Sequence, residues 1–240
     1  MKKLKWLWIW SGLKLLKAGL GYRISNEQKK WLQSVPRGHL VNRIDFILNY
    51  AAAKKIVHIG FADAPYTKEK IERKTLLHTA LRNKASFIWG IDTDNVSVEM
   101  YKQLTGDHQV QAIKLENFDK DELLSYELIL AGEVMEHMQD PISFINMCTG
   151  CLRKGQILMI TVPNYTSFDS IASSLHQTES IHPDHQWYFS PYTLLQKFDK
   201  HQWELIHFAY GLYGTVKPNF IQKQFPAMGD CIIALFKKNK

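Results

Sequence analysis

Three stretches of this chain carry residue types able to do chemistry. Glu133, Glu136 and His137 fall within one short turn. An apolar run, Leu128 to Ala131, leads into it, and Asp140-Pro141 closes it before a new apolar helix pattern begins at Ile142. Carboxylates beside an imidazole can move a proton near neutral pH or hold a divalent ion. The plain alternative is that they solvate a loop. Gly60 ends a second apolar run, Ile56-Val57-His58-Ile59, and Phe61-Ala62-Asp63-Ala64-Pro65 follows it. A glycine at such a turn lets backbone approach a ligand, and the next helix start offers free N–H groups. Asp92 ends a third run, Phe87 to Ile91, with Thr93 beside it. A carboxylate at a strand end can accept two hydrogen bonds from a ribose diol. Its separation from Gly60 exceeds the roughly twenty residues usual in dinucleotide folds. The long Pro65 to Leu77 connection accounts for the excess. The alternative for Asp92 is an ordinary turn residue.

These stretches need a frame that gathers them. Short apolar runs alternate with helix-like patterns from Lys55 onward. Strands are expected at 56–60, 87–91, 110–113, 128–131 and 156–162, with helices at 67–84, 96–104 and 142–152 between them. Alternation of this kind implies a parallel, doubly wound α/β sheet. Ligands of such sheets bind beyond the carboxyl ends of the strands, where Gly60, Asp92, Glu116-Asn117 and Glu133 would all lie. Trp203 to Tyr210 and Asp230 to Phe236 read as two further strands with no helix between them, an antiparallel pair at one edge. Glu27 to Ala53 reads as a helical lead-in, interrupted at Pro36-Arg37-Gly38. The expected organisation is an N-terminal extension over 1–53 and a main domain over 54–240.

With 240 residues and 45% hydrophobic content the chain can bury a full core. The formal charge of +7 favours an anionic neighbour without choosing one. Part of it sits in residues 1–20, where lysines alternate with Trp6, Trp8 and Trp10. That stretch is too short and charged to span a bilayer and lacks a cleavage pattern. It suits a helix lying in an anionic membrane interface, or a terminal helix packed through its tryptophans. Three cysteines do not make a disulfide scaffold and agree with a reducing, cytoplasmic setting. Cys148 and Cys151 share a helical face with apolar residues and read as small core residues.

Order and motifs together resemble the class I S-adenosylmethionine-dependent methyltransferases over about residues 54–237. Val57-His58-Ile59-Gly60-Phe61-Ala62-Asp63-Ala64 occupies the place of the family's first motif and Gly90-Ile91-Asp92 the second. Gly132-Glu133-Val134-Met135-Glu136-His137 with Asp140-Pro141 resembles the fourth-strand motif. Leu152 to Leu158, Val162-Pro163-Asn164 and His185 to Pro191 resemble later segments. The resemblance implies a Rossmann-like, mostly parallel seven-stranded sheet with an antiparallel edge, plus N-terminal helices. It implies S-adenosylmethionine as cofactor. The Gly60 loop, with Ala62 and Asp63, would hold its methionine part, Asp92 and Thr93 its ribose, and Glu116-Asn117 its adenine edge, with Glu133 bordering the site. His58 stands where the family has an acid and would reach the amino acid end through water. Ala62 and Ala64 narrow the loop. These departures keep open a binding protein that retains the fold without catalysis.

Methyl transfer needs an aligned nucleophile and one proton managed. His137, His185 and His182 are the candidate bases, with Glu136 beside them. Glu133, Glu136, His137 and His185 also resemble the metal-binding pattern of small-RNA 2′-O-methyltransferases and ubiquinone-pathway O-methyltransferases. That pattern occurs as well in methyltransferases without metal, and the metal-free reading is preferred. Pro163 to Pro191 would form a lid, with Tyr165, Phe168, Trp187, Tyr188 and Phe189 stacking on a ring. A sugar hydroxyl, on a polysaccharide precursor or a small molecule, is the expected acceptor. No nucleic-acid motif is visible. A nicotinamide dehydrogenase is disfavoured by the missing Gly-x-Gly-x-x-Gly.

Overall fold

The computed structural model describes residues 25–214 and 217–240. The Trp- and Lys-rich stretch lies outside them. The chain divides into two compact units between Val35 and Pro36. Before the division, Asn26–Lys30 forms a short helix. Its Ser25 side chain accepts from the Gln28 N–H while the Gln28 side chain accepts from the Ser25 N–H, a reciprocal cap.

After the division eight strands make one sheet. They are β1 (Leu40–Asn42), β2 (Lys55–Ile59), β3 (Phe87–Asp92), β4 (Val110–Ala112), β5 (Leu128–Gly132), β6 (Ile157–Pro163), β7 (Trp203–Leu212) and β8 (Cys231–Lys238). Their order is β1-β7-β8-β6-β5-β2-β3-β4. β8 runs antiparallel to both β6 and β7, and every other neighbouring pair is parallel. The chain winds outward from β2 to β3 and β4, then returns to the other side of β2 at β5. The topological switch point therefore lies between β2 and β5, where a crevice opens at the strands' carboxyl ends.

The central strands are apolar along their length because both faces are covered. Side chains alternate between two cores. Val57, Ile59, Ile129, Ala131, Leu158 and Ile160 pack with Phe144, Ile145 and Cys148 of the helix Pro141–Cys151. Ile56, Ile88, Leu128, Leu130 and Met159 pack with Ile47 and Ala51 of the helix Arg43–Ala51 and with Leu81. Cys148 is a buried core thiol, as the helical spacing predicts.

Four expectations need correction. The sheet has eight strands, not seven, because Leu40–Asn42 pairs with β7 instead of continuing a helix. Asn42 explains why: its side chain accepts from the Asp45 N–H at 3.0 Å. A residue capping a helix has extended backbone, so the helix cannot run through it. The main unit consequently begins at Pro36 and not at residue 54. The expected helix over 67–84 is two, Thr67–Glu72 and Leu77–Arg82. Lastly, a five-residue helix, Phe220–Gln224, stands in the β7–β8 connection.

Candidate functional site

A cleft of about 940 Å³ opens at the switch point, bordered by the ends of β2, β3 and β5. Gly60, Asp92, Thr93, Glu116 and His137 all line it, together with Val134, Met138, Phe144 and Met147. Gly60 has φ +69°, and a Cβ there would stand 2.6 Å from Val134 Cγ2. Only glycine leaves that floor open. Asp92 Oδ2 accepts from the Ala62 N–H at 3.1 Å, and Oδ1 from the Asp94 N–H at 3.0 Å. Each oxygen keeps a further lone pair for a diol. Asp92 is thus both a ligand candidate and the clamp that shapes the Gly60 loop. Glu116 sits in a single 3-10 turn, Leu115–Asn117, just past β4.

The turn after β5 holds Glu133 in the left-handed region, φ +57°. A non-glycine residue keeps such a conformation only where its surroundings impose it. Here they do. The Glu133 N–H donates to the Thr161 carbonyl at 2.8 Å, and Glu133 Oε1 accepts from Thr161 Oγ1 at 2.8 Å. Tyr213 donates its hydroxyl to Glu133 Oε2. Arg43 Nε lies 3.5 Å from Oε1 and donates to Thr161 Oγ1 at 3.1 Å. The Arg43 and Glu133 side chains are 11% and 24% exposed, so little water screens the pair. Burial, then the Glu133 charge, holds the Tyr213 hydroxyl well above its usual pKa.

Glu136 lies in the next turn, Met135–His137, fully buried. Neither carboxyl oxygen has a hydrogen-bond partner among the described residues. Burial first, then the charge of Glu133, pushes its pKa well up. Its backbone carbonyl accepts from the Gln186 N–H at 2.7 Å and the Trp187 N–H at 3.2 Å. The Trp187 indole donates to the Gln139 carbonyl at 3.3 Å. These bonds fold the segment after β6 back onto the β5 turn and bring His185 against His137, ring centroids 4.6 Å apart. His182 joins them at 5.8 Å from His137 and 5.6 Å from His185. Burial and then the two neighbouring imidazoles lower the His185 pKa.

A second cleft of about 380 Å³ opens on this side. Glu133, Tyr165, His182, His185, Trp187, Tyr188 and Tyr213 line it. Its outer wall belongs to the 163–191 segment, whose ends meet at the Asn164–Phe189 bridge.

The structure gathers most of the expected site but moves several members out of it. His58 does not face the cleft. It is 3% exposed, and its Nδ1 lies 3.2 Å from Nδ1 of His78 in the core. The alternation of β2 turns it to the face opposite Val57 and Ile59. Ala62 is buried and contributes its N–H to Asp92 rather than a wall. Asp63 pairs with Lys70 at the surface, and Asn117 is exposed and does not border the cleft. Glu136 is enclosed rather than presented to an acceptor. Of the five lid aromatics, Tyr165, Trp187 and Tyr188 line the second cleft, whereas Phe189 is in the core. Arg43, Thr161 and Tyr213 were not among the expected residues. Arg43 is 118 positions from its partner Thr161, and no local spacing announces such a contact.

A cofactor of the implied kind fits the first cleft on one observation: the floor at Gly60 is kept clear by the absent Cβ, beside a strand-end carboxylate. The four-residue metal pattern fits less well, since the carboxylate of Glu133 is committed to Thr161, Arg43 and Tyr213.

Comparison with known proteins agrees with the geometry. A family profile described as "Methyltransferase domain" matches residues 75–208, more than half of the chain. The matched span begins beyond Gly60 and takes in Asp92, the β5 turn and the 163–191 segment. The small RNA methyltransferase HEN1 superimposes with TM-score 0.58 at 16% identity, over 82% of this chain. The chain spans only 25% of that enzyme's length. An S-adenosylmethionine-dependent methyltransferase from Clostridium acetobutylicum ATCC 824 gives 0.53 at 10% identity, over 96% of this chain and 98% of the other. A putative methyltransferase from Bacillus halodurans C-125 gives 0.54 at 13% identity, over 82% and 99%. No curated protein sequence matches.

Proposed function

This chain belongs to the family of methyltransferase domains, and from that premise we propose that it moves the methyl group of S-adenosylmethionine onto an oxygen. The acceptor class is a hydroxyl of a sugar, of a polysaccharide precursor or of a small ring-bearing molecule. One observation carries this reading: two clefts meet at a group of imidazoles. His137 borders the first, His182 and His185 the second, and the second has an aromatic wall. Stacking on Tyr165, Trp187 or Tyr188 favours a flat or ring-shaped acceptor.

S-adenosylmethionine supplies, when bound, a methyl already activated on a sulfonium. Gly60 would leave room for its chain, and Asp92 would accept from its ribose hydroxyls. The second cleft would hold the acceptor with its oxygen turned towards the first, which is the alignment that a methyl transfer needs. The hydroxyl proton passes to an imidazole. His185 suits that task, because its lowered pKa leaves it neutral at pH 7 and able to take a proton. Glu136 does not, because its carboxyl is fully enclosed and borders neither cleft.

Titration calorimetry with S-adenosylhomocysteine tests the first cleft, with NADH as control. Micromolar binding is expected, weakened about tenfold in Asp92→Asn. Preference for NADH would overturn the cofactor assignment. A screen of sugar and phenol acceptors with labelled cofactor tests the second cleft. Trp187→Ala is expected to raise KM for a ring-bearing acceptor with little change in kcat. Exclusive labelling of amines would overturn the oxygen assignment.

A further inference from the structure

His137, His182 and His185 come from two separate stretches, the β5 turn and the segment after β6. Each offers one ring nitrogen, and these nitrogens all lie within 4.8 Å of one another. We propose that the three imidazoles form a binding site for one divalent ion of the zinc and cobalt(II) class, with its remaining positions open to the second cleft.

Several observations point the same way. His137 meets the other two rings edge to face, at 69° and 83°, and His182 and His185 are tilted by 39°, so the imidazoles do not form a stack. Three basic rings this close gain nothing from one another, since protonation of any one disfavours the others. An ion among them turns that crowding into attraction. Beside them Glu136 is fully buried, and both its carboxyl oxygens lack partners among the described residues. Its own carbonyl holds the segment that delivers His185. Asp184 adds negative charge, with Oδ2 3.8 Å from His182 Nδ1; its N–H now donates to that nitrogen at 3.3 Å, a bond that His182 gives up when it ligates an ion.

The donor set decides the metal. Glu133 is already tied to Arg43, Thr161 and Tyr213, so the cluster's free donors are imidazoles. Imidazole suits zinc, cobalt and nickel, whereas magnesium requires oxygen ligands. Three imidazoles with an open position make a Lewis acid that lowers the pKa of a bound hydroxyl or water. The ligand class of that open position is an oxygen donor, a hydroxyl or vicinal diol.

The site does not depend on the acceptor assignment; with an ion bound, His185 is a ligand and the ion, not this imidazole, acts on the hydroxyl, and the test reads metal binding alone. Tag-free full-length protein is stripped with chelator and titrated with Co²⁺, followed by visible absorption, and with Zn²⁺, followed by calorimetry. One ion per chain is expected. Losing a ligand costs at least the roughly 10–100-fold in affinity that losing a supporting partner does. His137→Ala, His182→Ala and His185→Ala should each show such a loss, and Glu133→Gln should not. Millimolar Mg²⁺ should fail to compete. S-adenosylhomocysteine affinity of His182→Ala, expected unchanged, shows that the variant is folded. His182→Asn provides the same reading if the alanine variant is insoluble. Wild-type metal affinity in folded His182 variants, an equal loss in Glu133→Gln that still binds S-adenosylhomocysteine, or no saturable binding would overturn the three-imidazole site.

Discussion

Arg43 shows how one residue can govern a site it does not border. It is the first helical residue after β1, and it reaches under the β5 turn to Glu133 and Thr161. Two glycines clear its way. A Cβ at Gly132 would come within 3.0 Å of Arg43 Nη2, and one at Gly211 within 3.2 Å of Arg43 Cβ. Removing one partner of a buried pair leaves the other charge uncompensated, at a cost of about 3–5 kcal/mol. Arg43→Met is therefore expected to lower stability by that order in urea unfolding. The double variant Arg43→Met with Glu133→Gln should recover part of the loss. A single-variant effect below about 1 kcal/mol would place the pair with solvent-screened ones. His58 and His78 give the residue scale a pH signature. Burial, then Arg43, lowers His58 to about 3. Burial, then His58 and Arg82, lowers His78. Both rings titrate near 6.5 in the unfolded chain, so folding excludes protons that unfolding admits. The contribution of His58 is complete above pH 6.5 and is lost as pH falls towards 3, and His78 acts in the same direction. Each histidine removes up to about 1.4 kcal/mol per pH unit in that window. His58→Gln should flatten the acid limb of melting temperature against pH by about one proton. An unchanged slope would mean that other groups set it.

Among the elements, β1 and the 163–191 segment set the second cleft from opposite sides. β1 adds only three residues, but Leu40↔Tyr210, Val41↔Gly211 and Asn42↔Leu212 hold the end of β7, and Tyr213 follows directly. Asn42 also donates its side-chain amide to the Gly214 carbonyl at 2.6 Å. A chain starting at Pro36 should keep a cooperative melt, because the main compact unit begins there. One starting at residue 54 loses β1, Arg43 and the core residues Ile47 and Ala51. It should be insoluble or melt far lower, as seen by circular dichroism. Equal melting of the two would show that β1 is dispensable. The far wall closes on backbone bonds from Gln186 and Trp187 to Glu136, so the histidines converge through main-chain pairing rather than through their own side chains.

For the molecule as a whole, charge and the N-terminal stretch bear on where it works. The excess of positive charge and the Trp-Lys pattern of residues 1–20 suit an anionic membrane surface. Among the described residues no helix is long and apolar enough to cross a membrane. Co-sedimentation with anionic liposomes should favour the full chain over one starting at Pro36, with the difference shrinking in high salt. Equal binding by both would remove the membrane from the account.

The sequence by itself determined the architecture. Alternating apolar strands and helices specify a doubly wound sheet, since each strand's composition reports burial on both faces. Strand-end positions then marked Gly60, Asp92, Glu116 and the β5 turn, because a parallel sheet brings all carboxyl ends to one edge. Local rules also left traces that pattern reading passed over: Asn42 as a cap, and hence β1 as a strand. Tertiary structure alone decided the rest. Whether His58 met a cofactor or the core depended on which face of β2 it occupied and on His78 facing it from the helix Leu77–Arg82. Whether Glu133 was a free ligand depended on Arg43, Thr161 and Tyr213, each far away in the chain. Whether His182 stood with His137 depended on where a long segment folded back. Contacts of that kind are set by the packing of whole elements, and no spacing within one segment encodes them.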